Sequence, residues 1–107
     1  MKIQNKLCIG TVQLGQLYGP QKNKKILSLK ELSNFINYLK KNKITYLDTA
    51  SIYNFDERIR HTKISLKDFK IITKIQSPKR FKSNYKEKTI FLVKKMLSNL
   101  RVKSFYA

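Results

Sequence analysis

Apolar residues fall along this chain in short blocks, and the spacing within each block predicts an element. Lys6-Leu7-Cys8-Ile9 reads as a first strand ended by Gly10. The segment from Thr11 to Lys25 holds Gly15, Gly19 and Pro20 and reads as a loop. Ser28 and Glu31 then stand at the S-x-x-E spacing of a capping box, in which each side chain satisfies the other residue's free backbone N–H. Leu32, Phe35, Ile36 and Leu39 follow at helical spacing and make one apolar stripe. The basic run Lys40-Lys41-Asn42-Lys43 closes this helix, where cations complement the negative end of the dipole.

Ile44-Thr45-Tyr46-Leu47 predicts a second strand. The polar stretch from Asn54 to Lys67 carries Asp56, Glu57 and Ile59 and suggests a short helix. Phe69-Lys70-Ile71-Ile72-Thr73 predicts a third strand, and Ser77, Pro78 and the basic residues after it a loop. Asn84 and Glu87 mark another capped helix start, with Ile90, Val93, Leu97 and Leu100 at helical spacing behind it. Val102 to Tyr106 would begin a fourth strand.

The order is βαβαβα with a further strand beginning. Such alternation implies a parallel sheet, because each crossover helix returns the chain to the same end. The carboxyl ends of parallel strands share one rim, and that rim carries the chemistry of barrels and doubly wound sheets. Asp48, Tyr53 and Lys74 all fall there. A carbonyl that accepts hydride at carbon develops negative charge on its oxygen and needs a proton donor. A phenol can serve if an ammonium beside it favours the phenolate. A carboxylate beside the ammonium keeps it charged and held, so the trio supplies a chain from carboxylate to amine to phenol.

Charge adds a second question. The formal net charge is +18 over 107 residues, with twenty lysines against four arginines. Arginine is the usual residue for bidentate phosphate and base contacts, and a nucleic-acid binder gathers its basic residues on one face. Here they are spread along the chain, with short clusters at Lys22 to Lys25, Lys40 to Lys43 and Lys79 to Lys82. A solvated basic surface is favoured over a small nucleic-acid-binding module, which stays the alternative. The twelve Tyr and Phe residues mostly fall on apolar stripes and read as core. Cys8, in an apolar strand, reads as a buried inert thiol. His61, between Arg60 and Thr62, reads as solvent-facing and not catalytic. One His and one Cys build no metal site. No segment approaches membrane-spanning length, and a cytoplasmic protein is expected.

Three motifs carry a resemblance. They are Leu7-Cys8-Ile9-Gly10-Thr11-Val12-Gln13-Leu14-Gly15 with Tyr18-Gly19; Leu47-Asp48-Thr49-Ala50-Ser51-Ile52-Tyr53 with Glu57; and Ile71-Ile72-Thr73-Lys74. In this order and spacing they resemble the N-terminal part of the aldo-keto reductases, NADPH- or NADH-dependent (β/α)8 barrels. The resemblance implies an α/β fold: an incomplete TIM barrel of roughly three βα units and the start of a fourth strand, in one partial domain over 1–107. It implies Tyr53 as general acid, Lys74 as the amine that tunes it and Asp48 as the paired carboxylate. Gly10, Thr11 and Asp48 would face the nicotinamide end of NADP or NAD, and an aldehyde or ketone would be the substrate. The family commonly has Gly after the catalytic Tyr; Asn54 stands here and tolerates left-handed backbone. The family's histidine on the fourth strand and its adenosine-phosphate site lie beyond this stretch. A closed barrel takes roughly 250 residues. A fragment with little turnover alone is therefore expected, with self-association through open sheet edges, or service as a non-catalytic partner of another chain, as the alternatives.

Overall fold

The computed structural model describes residues 3–20, 25–76 and 83–107. The loop expected at Ser77 to Lys82, and the part of the first loop at residues 21–24, lie outside the described residues. The elements are β1 (Cys8–Gly10), α1 (Val12–Gly15), α2 (Leu29–Lys41), β2 (Tyr46–Asp48), α3 (Phe55–Arg60), β3 (Lys70–Ile72) and α4 (Tyr85–Leu100). The three strands form one parallel sheet in the order β1-β2-β3. Beyond β3, Tyr106 N donates to Ile71 O at 2.8 Å and Thr73 N to Ala107 O at 2.9 Å. The segment expected to begin a fourth strand therefore lies alongside β3 without forming a regular strand.

Register explains which residues are inside. Ile9, Leu47 and Ile71 stand opposite one another across the three strands. They face the helices, and Leu47 and Ile71 are fully buried there with Leu32, Ile36 and Leu39 of α2, Phe55 and Ile59 of α3, Leu66 and Leu100. Each such large side chain contributes about 1.5–3 kcal/mol through the apolar area it removes from water. The neighbouring rows, Cys8-Tyr46-Lys70 and Gly10-Asp48-Ile72, point to the opposite face because side chains alternate along a strand. That face is open and mixed in character. Lys70 Nζ lies 3.3 Å from Tyr46 Oη, and the Tyr46 and Tyr106 rings meet edge to face at 5.5 Å.

The register also corrects the expectation for Cys8. Its side chain is on the open face and exposed. A 3₁₀ turn, Ile3–Lys6, occupies the start of the strand expected from Lys6, so β1 begins two residues later. Val12–Gly15 forms a single helical turn within the expected loop.

Helix α2 starts as its sequence requires. Ser28 Oγ accepts from Glu31 N at 3.1 Å, and Glu31 Oε2 accepts from Ser28 N at 2.7 Å. Leu32, Ile36 and Leu39 are buried and Phe35 packs beside them. Its end is a Schellman turn with Lys43 at φ 57°, Ile44 N donating to Leu39 O and Lys43 N to Lys40 O. Ser28→Ala should destabilise the fold by about 1 kcal/mol, read as a lower urea midpoint at unchanged slope. The two hydrogen bonds with Ser28 hold the Glu31 carboxyl below its ordinary 4.5. The stability linked to it is therefore present above that pH and lost as pH falls through the lowered value. At low pH the gap between the wild type and Ser28→Ala should narrow but not close, because Ser28 Oγ still accepts from Glu31 N.

Helix α4 departs from expectation over its first half and ends, as expected, at Leu100. Asn84 sits at its start in the left-handed region, φ 54°, and makes no side-chain cap hydrogen bond. Its buried positions are Met96, Asn99 and Leu100, whereas Ile90 is exposed. Only the second half of the helix therefore packs on the body. Arg101 at its end (φ 56°) donates to the carbonyls of Ile59, Arg60, Thr62 and Ile64. This one guanidinium gathers carbonyls at and just beyond the close of α3 and ties them to α4. The aromatic residues divide differently from expectation. Phe55 and Phe69 are buried, but Tyr18, Tyr38, Tyr85, Phe91 and Tyr106 are exposed.

Candidate functional site

Parallel pairing places the ends of β2 and β3 side by side, and the backbone beyond them continues the match. Thr49 N donates to Ile72 O at 2.8 Å, and Ser51 N to Lys74 O at 2.9 Å. Asp48 and Ile72 are register partners, and Lys74 lies two residues past Ile72, so both charged side chains emerge on the same open face. Lys74 Nζ donates to Asp48 Oδ1 at 2.6 Å. It also lies over the Tyr53 ring, 5.4 Å from its centroid. The three residues singled out by sequence are therefore brought together on the carboxyl rim.

Tyr53 comes from the turn between β2 and α3, where its N–H donates to Ala50 O at 3.1 Å. The next residue, Asn54, has φ 61° and ψ 8°, the left-handed conformation that Asn accepts more readily than most residues. Gly10 stands in register with Asp48 on the open face, and a Cβ there would meet nothing within 4 Å. Thr11 is placed differently. Its side chain is fully buried, its Oγ1 has no protein partner, and its N–H donates to Asp48 O at 3.0 Å.

The Asp48–Lys74 pair is about half exposed on each side, so its net worth to folding is about 0–1 kcal/mol. Its importance is electrostatic placement. The hydrogen bond to Asp48, and more weakly the Tyr53 phenol, raise the Lys74 ammonium above its ordinary 10.5. A raised amine contributes stability below its unfolded pKa and loses it as pH rises through the folded value. The ammonium is thus held charged at neutral pH, next to an aromatic hydroxyl residue.

A cleft of about 360 Å³ opens at this point, lined by Ala50, Ser51, Ile52, Tyr53, Lys74, Ile75 and Gln76. That volume suits a small organic ligand. Within its lining, Ser51 Oγ accepts from Gln76 N at 3.0 Å and so joins the two loops that border it. Ser51, Ile75 and Gln76 were not singled out from sequence. Their only sequence signal is position, three or four residues past a strand end.

Cys8 shares the open face. Partial burial, with the Asp48 charge adding and Lys74 opposing, pushes its thiol pKa up, so it stays protonated. His61 is exposed at the far end of α3 from Tyr53, with Nε2 3.8 Å from Glu57 Oε1. Among the described residues no cluster of three His, Cys, Asp or Glu could hold a metal ion. Among them, too, no helix is long and apolar enough to cross a membrane.

No family model matches the chain, and no curated protein matches it. A solved structure does. The crystal structure of a protein from Pseudomonas aeruginosa, provisionally assigned as an aldo-keto reductase, matches 92% of this chain with a TM-score of 0.62 and 19% sequence identity. The match spans 39% of that protein's own chain. At this identity the likeness is one of fold: the parallel α/β arrangement described here is shared with part of an aldo-keto reductase structure.

Proposed function

We propose that this chain forms the N-terminal part of an NAD(P)H-dependent carbonyl reductase of the aldo-keto reductase type, with the open sheet face directed into a (β/α)8 barrel. The observation that carries this reading is the Lys74 ammonium, held 2.6 Å from Asp48 and over the Tyr53 ring at the carboxyl ends of parallel strands.

In this reading the nicotinamide, when bound, supplies the hydride that goes to the carbonyl carbon of an aldehyde or ketone. Tyr53 gives its phenolic proton to the oxygen as charge develops there. The phenolate left behind is stabilised by the adjacent Lys74 ammonium, which Asp48 keeps charged and aimed. The open room above Gly10, in register with Asp48, fits the flat nicotinamide end of a cofactor. Thr11 follows Gly10 in the turn that would approach the nicotinamide end, and its N–H donates to Asp48 O.

The test is carbonyl reduction by the complete polypeptide that carries this segment. NAD(P)H oxidation that depends on an added aldehyde or ketone, and on Tyr53, supports the reading. Turnover indifferent to Tyr53 overturns it.

A further inference from the structure

Tyr53 stands on a turn that belongs to no strand or helix, yet it must face Lys74. What fixes that turn is the loop after β1. A Cβ on Gly15 would stand 1.8 Å from the Tyr53 carbonyl oxygen, 2.6 Å from Phe55 N and 2.9 Å from the Asn54 carbonyl carbon. The backbone of Gly15 therefore rests directly on the turn, at a distance no side chain permits. Asn54 Nδ2 reaches back to Gly15 O at 3.3 Å. One helical turn later, Arg58 donates to Leu14 O at 2.8 Å and to Leu27 O. These contacts grip the end of α1 and the approach to α2 from the start of α3. They satisfy carbonyls that the single turn Val12–Gly15 leaves free.

We infer that Gly15, Asn54 and Arg58 are positioning residues for Tyr53: they clamp the β1 loop against the turn after β2 and so set the phenol beside Lys74. The clamp acts through backbone placement and touches neither Asp48 nor Lys74. The proposal rests on reading Tyr53 as the proton donor only for its functional meaning; the geometric claim stands on the contacts themselves.

The experiment is NMR on this chain, following the Lys74 ε-methylene group. Lys74 Nζ lies 5.4 Å from the Tyr53 ring centroid, so the ring current should displace the adjoining methylene protons upfield, and Tyr53→Leu should abolish that displacement. The Lys74 titration reports the Asp48 pair separately, because Asp48 is the larger cause of the raised amine. Arg58→Gln and Gly15→Ala should each lose most of the upfield displacement while Lys74 still titrates above an ordinary lysine. Asn54→Gly keeps the left-handed turn but loses the bond to Gly15 O, and should lose part of the displacement; full retention would count against the clamp. An unchanged displacement in Arg58→Gln, or its loss together with the raised titration, overturns the proposal. Carbonyl reduction is scored apart, in the complete polypeptide. Its absence there would sink the functional reading and leave the positioning result standing.

Discussion

Tyr53→Phe is expected to lower carbonyl reduction by the complete polypeptide by about 10²–10⁴-fold, the usual contribution of a positioned general acid. The exchange removes one oxygen and keeps the ring under the Lys74 ammonium. The Asp48–Lys74 pair does not depend on the phenol oxygen, so the site should keep its shape. Cofactor binding should hardly change if, as proposed, the phenol meets the substrate oxygen. The loss should therefore appear in kcat, with the cofactor dissociation constant nearly constant. Equal losses in cofactor affinity and turnover would instead mean that Tyr53 holds the cofactor. Unaltered turnover would remove it from the chemistry.

Phe55→Ala should have the largest effect on folding, a destabilisation of about 3–5 kcal/mol. Phe55 is the first residue of α3 and is fully buried among Leu32, Ile36, Leu47 and Ile59. Truncation leaves a cavity beneath the turn that carries Tyr53. Domains of this size commonly have only about 5–15 kcal/mol of net stability, so the variant should be substantially unfolded. Urea melts followed by circular dichroism measure this. Ile90→Ala is the matched comparison. Ile90 lies on the expected apolar stripe of α4 but is exposed, and its loss should cost no more than about 0.5 kcal/mol. Similar midpoints for the two variants would show that the core is not where the packing places it.

What could be read from the chain was local and periodic. Ser28 and Glu31 specify a helix start by chemistry that acts over three residues, and both hydrogen bonds are present. The stripe Leu32, Ile36 and Leu39 repeats at the helical period and is buried. The alternation of strands and helices forces parallel pairing, and parallel pairing puts Asp48 and Lys74 on one rim. Asn54 was legible only through the resemblance, which places Gly after the Tyr and so implies a left-handed turn that Asn tolerates.

The misreadings share a different cause. Whether an apolar residue is covered depends on what lies opposite it, and spacing along the chain does not contain that. Cys8 sits in an apolar block but on the sheet face that nothing covers. Ile90 repeats with Leu97 and Leu100, yet only the second half of α4 reaches the body. Several tyrosines on apparent stripes point to solvent for the same reason. The clamp on Tyr53 was hidden because it joins backbone atoms far apart in sequence. Gly15 alone carries a signal, and glycine in a loop ordinarily means a turn. Here it means a close approach to the Tyr53 carbonyl. The roles of Arg58 and Arg101 as donors to backbone carbonyls were equally invisible among so many basic residues.

The pH titration of Lys74, compared between the wild-type chain and Asp48→Asn, probes the carboxylate–amine–phenol arrangement most directly. With Lys74 selectively assigned by NMR, its ammonium should titrate above the ordinary 10.5. It should fall toward the other lysines in Asp48→Asn, and by a smaller step in Tyr53→Phe. A Lys74 that titrates with the remaining lysines and ignores both substitutions would contradict the account.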